Sequence, residues 1–94
     1  MKTAITHTST VRLASDGKTV EVVARVLEGH VEAGMALKIE LNRSTAFWIP
    51  ILRLKTLSEN EVELTMDCED DPEFAQAVVA LNFADEILLC ENAK

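Results

Sequence analysis

Glycine and proline are scarce in this 94-residue chain, with three of one and two of the other. With 48% apolar and 27% charged residues, that scarcity excludes collagen-like repeats, low-complexity linkers and a long disordered tail. No apolar run approaches the roughly 20 residues of a membrane-spanning helix, which argues against a membrane role. The opening Met1-Lys2-Thr3-Ala4-Ile5-Thr6-His7 lacks the apolar stretch of a secretory signal, so a cytoplasmic location is expected. Linkers, internal repeats and breaks in composition are missing too. Residues 1–94 therefore read as one domain, long enough to bury about 60–65% of the surface of its unfolded chain.

Chemistry-bearing motifs are equally sparse. The two cysteines, Cys68 and Cys90, sit in apolar alternating runs and read as reduced, buried thiols, with a disulfide requiring neighbouring strands. Neither they nor His7 and His30 show the close C-x-x-C or H-x-x-x-H spacing of zinc sites. Glu69, Asp70, Asp71 and Glu73 are clustered carboxylates, but the D-x-[DN]-x-[DN]-G calcium loop is absent. Helix capping accounts for them better. Ser44 and Thr45 lie in no G-x-S-x-G elbow. The expectation is a chain without catalytic residues, metal or cofactor; a small metal-binding enzyme is the least favoured reading.

Basic residues are outnumbered nine to sixteen, for a net charge of −7. A chain of that sign repels phosphate backbones, which argues against DNA and disfavours RNA or the ribosome as partners. The charge is unevenly divided. Residues 1–58 carry eight basic and five acidic groups, whereas residues 59–94 carry one basic and eleven acidic groups. Such asymmetry marks either a partner-selecting face or a solvated, helix-capping acidic half.

What the chain does have is period-two alternation, the signature of strands. Strands are predicted over 3–13, 19–28, 35–41, 46–57, 62–68 and 86–91. In the first, Ile5, Val11 and Leu13 share a face, and the low apolar content suggests an edge or opening strand. Val20, Val22, Ala24 and Val26 point inward from the second; Met35, Leu37, Ile39 and Leu41 point inward from the third, with Ala36 outward. In the fourth, Phe47, Ile49 and Ile51 have one parity and Leu52 and Leu54 the other, which calls for a bulge near Pro50. Asp71 as N-cap, Pro72 at the first helical position and Phe74, Ala77, Val78 and Leu81 at helical spacing predict a helix over about 71–82. The sum is a mainly all-β fold, a small antiparallel six-stranded barrel with one short helix in its C-terminal half.

Within this pattern, Val22 to Ile39 resembles the second-domain β-barrel of translation GTPases of the elongation factor Tu type. Gly29, Val31, Gly34, Leu37 and Ile39 fill the family's G-x-V-x-x-G-x-x-L-x-I places, and Ile49 to Leu54 looks like its next strand. The resemblance spans about two-fifths of the chain. It implies the family's barrel, with residues 29–34 as a hairpin returning the third strand against the second. It does not carry over GTP hydrolysis, because no G-x-x-x-x-G-K-[ST] loop is present.

The candidate contact surface centres on Trp48. If Phe47 faces the core, Trp48 faces out, and tryptophan is a frequent interface anchor. Arg43, Arg53 and Lys55 lie in the same stretch, with Arg25 and Lys38 on the two preceding strands. Together they could form a basic, aromatic face that stacks a base or grips an acidic peptide. The alternative is that Trp48 packs beneath the helix, against Phe74 or Leu81. The expected role is a non-catalytic binding or adaptor module for an unidentified protein partner. The other expectation is a self-associating protein, dimeric through an edge strand or charge-complementary faces.

Overall fold

Alternating β-branched and polar residues become strands here because each strand finds a neighbour on both sides. A computed structural model describes residues 3–40, 44–81 and 83–92. Its elements are β1 (Thr3–Leu13), β2 (Val20–Gly29), β3 (Met35–Glu40), β4 (Ala46–Thr56), β5 (Glu61–Met66), α1 (Pro72–Ala80) and β6 (Ile87–Asn92). Every pairing is antiparallel, and the order β1-β2-β5-β4-β3-β6 closes through β1 and β6 into a barrel. The mainly all-β, six-stranded barrel with one short helix is thus the fold. Leu41, expected at the end of the third strand, and Asn82, expected at the end of the helix, lie outside the described residues.

β1 departs from expectation twice. It is not an edge, since it pairs with both β2 and β6. Its buried side chains near the start are Ala4, Thr6 and Thr8 rather than Ile5. The cause is a bulge: Thr8 faces Ala24 and Thr10 faces Val23, leaving Ser9 as an extra residue. The extra residue reverses the phase, so Val11 packs against the core while Ile5 does not. Threonines tolerate the interior because their hydroxyls are satisfied. Thr6 Oγ1 donates to the Leu88 carbonyl at 3.1 Å and Thr8 Oγ1 to the Glu86 carbonyl at 2.8 Å.

Two further bulges bend the wall. Leu27 on β2 is passed over between the pairs Ile5–Glu28 and Thr6–Val26, and Leu52 on β4 between Ile51–Met66 and Arg53–Thr65. Leu52 lies two residues past Pro50 and carries the phase change read from the sequence. There β4 also changes partner, from β3 to β5. Bulges sharpen strand curvature, which a narrow closed barrel requires. They also account for two exposed leucines: Leu27 is 50% and Leu52 47% exposed.

The Gly29–Gly34 segment is not a hairpin, because β2 and β3 are not neighbours in the sheet. It crosses from one wall of the barrel to another. Gly29 adopts φ +82°, where a Cβ would run into the Thr3 carbonyl and lie 2.9 Å from Ala4 Cα. Val31 is buried beneath the crossing, and Gly34 N donates to the Ile51 carbonyl at 3.0 Å. Ala36, expected outward, is buried where it faces Pro50 on one side and Glu91 on the other.

Asp71 caps α1 as expected, Oδ1 accepting from the Glu73 and Phe74 amides at 3.0 and 3.4 Å, with Pro72 in the first turn. The helix buries Ala75 and Val78 and packs over β1 and β2. Phe83, just past it, is the largest fully buried side chain, and the sequence pattern does not mark it.

Candidate binding surface

Trp48 stands on the outer face of β4, 46% exposed, opposite Lys38 on β3. Lys38 Nζ lies over the indole, 5.5 Å from the ring centroid, and 3.6 Å from Glu40 Oε1. A cation in that position is attracted by the ring's negative face. Of the six residues proposed from the sequence, this pair is brought together. Phe47, expected in the core, is 40% exposed. It sits beside Ile39 near the start of β4, and the helix covers the β1–β2 side of the barrel instead.

The other cations lie elsewhere. Arg53 faces Thr65 and Lys55 faces Glu63 across β4 and β5. Arg25 is flanked by His7 on β1 and Glu61 on β5. The same wall carries Arg12, which bridges Glu21 at 2.8 Å and Glu63 at 3.2 Å. Arg53 is five positions beyond Trp48, roughly 15 Å along the strand. Lys55 and Arg25, with Arg12, therefore belong to a lattice of alternating charge, and Arg53, opposite Thr65, also stands apart from Trp48. Arg43 lies outside the described residues.

What adjoins Trp48 is acidic. A cleft of about 170 Å³ is lined by Trp48, Ile49, Pro50, Asp67, Glu69 and Phe74. The Asp67 amide donates to the Pro50 carbonyl at 2.9 Å and ties the chain beyond β5 to β4. Asp67 Oδ1 accepts from the Glu69 amide at 2.9 Å. Glu69 and Asp70 then take left-handed φ of 59° and 56°, and Asp71 starts the helix that carries Phe74. Trp48 thus remains half exposed while sharing a cleft with Phe74, which combines parts of both readings of its position. Asp67 is not a site candidate in the sequence, and Glu69 enters there only within a carboxylate cluster read as helix capping. Continuing the outward parity of Glu63 and Thr65 could have pointed to Asp67, but its junction with Pro50 is a long-range contact.

The imidazoles do not line this cleft, and Cys68, between Asp67 and Glu69 in the chain, is fully buried. Cys68 and Cys90 are free and buried. Burial pushes both thiols up, Cys90 to about 11. His7 Nε2 is 3.9 Å from Asp85 Oδ1 and His30 Nε2 is 3.7 Å from Glu32 Oε2, both outside the core. Among the described residues no three His, Cys, Asp or Glu side chains converge as a ligand set, and no helix is long and apolar enough to cross a membrane. No protein-family model, curated protein or solved structure matches the chain.

Proposed function

We propose that the chain is a non-catalytic binding module for a protein partner in the cytoplasm, with its contact surface around Trp48. One observation carries the reading. The chain's single tryptophan is half exposed beside a formed cleft, on a barrel whose neighbouring wall is an alternating-charge lattice. Tryptophan in such a position anchors interfaces, because it buries a large area and keeps a donor. The likeness to a translation-factor barrel is part of the proposal. It is supported by the six-stranded closed barrel, while residues 29–34 form a crossing and not the hairpin that the resemblance implies.

A tagged pull-down from native lysate, with and without nuclease, tests it. Partner proteins should survive nuclease and be lost by the Trp48→Ala variant. If Trp48→Ala retains every wild-type partner, the surface is wrong. Partners lost with nuclease would favour the RNA or ribosome reading, which the net charge of −7 opposes.

A second reading is self-association through charge-complementary faces, favoured by the division of charge between residues 1–58 and 59–94. The edge-strand route has no free edge to use among the described strands, since each is paired on both sides. A dimer that dissociates with salt in sedimentation would support the charge route; a monomer at every ionic strength would discard it.

A further inference from the structure

Resting on the binding-module reading, we infer that the cleft beside Trp48 takes one cationic side chain, lysine or arginine, projecting from the partner protein. Size sets the first limit. At about 170 Å³ the cleft is smaller than the roughly 300–1,000 Å³ of small-molecule sites. It is close to a cavity of about 150 Å³ that holds a single benzene ring. One side chain fits; a nucleotide does not.

The lining sets the second limit. Trp48, Ile49, Pro50 and Phe74 present apolar surface, whereas Asp67 and Glu69 present carboxylates. Long cationic side chains have the matching division, an apolar stem and a charged head. One Asp67 oxygen is engaged by the Glu69 amide, and the Glu69 carboxylate forms no ion pair among the described residues. Asp70, Asp71 and Glu73 follow immediately and add to the negative field. Lys38 lies over the indole beside Glu40 and does not line the cleft. An acidic or phosphate group would meet repulsion here. An apolar side chain would take water from the two carboxylates and return no charge. The acidic-peptide and base-stacking partners expected from the sequence therefore suit this cleft poorly.

Trp48 is the only tryptophan and the chain has no tyrosine, so intrinsic fluorescence reads this site directly. The full chain is titrated with acetyl-Gly-Arg-Gly-amide, its lysine, leucine and glutamate counterparts, and a uridine oligonucleotide. The arginine and lysine peptides should give saturable changes at least about tenfold tighter than the leucine peptide, weakening as salt shortens the screening length. Glu69→Gln should weaken the arginine peptide about threefold or more and flatten its salt dependence. Glu69 is exposed, and an unchanged thermal unfolding curve would confirm that the variant folds. Equal binding of the leucine and arginine peptides overturns the inference, as does tighter binding of the glutamate peptide or the oligonucleotide, or no saturable response to any probe. These failures are distinct from failure of the binding-module reading, which the Trp48→Ala pull-down decides without reference to peptide charge.

Discussion

Cys90 faces the barrel interior with no exposed surface, beside the Thr6 hydroxyl. Burial disfavours the thiolate and moves its pKa from the ordinary 9.0 to about 11, with the Thr6 hydrogen bond opposing the shift. The sign follows from linkage: the unfolded chain loses this proton first as pH rises. Cys90 thus contributes stability in full below about pH 9, and the contribution is lost as pH rises toward 11. Two outcomes are expected. Native protein at pH 8 should resist iodoacetamide while urea-unfolded protein reacts at both thiols. A Cys90→Ala variant should show a shallower stability loss between pH 9 and 11 than wild type, read by urea unfolding.

At the scale of elements, the crossing from β2 to β3 is the most constrained connection. Gly29 needs both a left-handed φ and the absence of a Cβ, since the neighbouring β1 backbone occupies that space. Gly17, in the β1–β2 turn, has a left-handed φ of 72° but nothing within 4 Å of its missing Cβ. Gly29→Ala should therefore destabilise by roughly 1–3 kcal/mol or more, against about 1 kcal/mol for Gly17→Ala. Urea denaturation of both variants checks the order, and equal losses would show that β1 yields to the added methyl. Asp16-Gly17 and the Gly29–Gly34 segment both carry turn residues in the sequence. The sequence did not reveal that one turn is a hairpin and the other a crossing, because strand pairing at that distance leaves no local trace.

At the scale of the molecule, closure rests on the β1–β6 seam, from Thr3–Glu91 to His7–Ile87. The seam is reinforced from inside by the Thr6 and Thr8 hydroxyls, and the Asp85 amide donates to the Thr8 carbonyl at 2.7 Å. Residues 3–8 should accordingly exchange amide hydrogens as slowly as β2 and β5. An exposed first strand would exchange fast, near the limit of fraying termini. Thr6→Val keeps the shape but removes the donor, and should speed exchange across both β1 and β6 if the seam opens as a unit.

The strands and the helix cap were legible because they rest on local physics, side-chain period and capping hydrogen bonds, whereas strand ends differ by one or two residues, as at β5, which stops at Met66 and not Cys68. The phase change after Ile51 was legible too, since it is written in the alternation itself. Which residues of β1 face inward was not, because the Ser9 bulge is decided by pairing with Val23 and Ala24 and not by composition. The binding surface divides in the same way. The parity reading of Trp48 took Phe47 as a core residue, and both side chains are exposed. The Asp67–Glu69 side of its cleft and the placing of Arg25, Arg53 and Lys55 away from Trp48 came only from the fold, because contacts between distant segments are set by barrel closure and not by sequence neighbours.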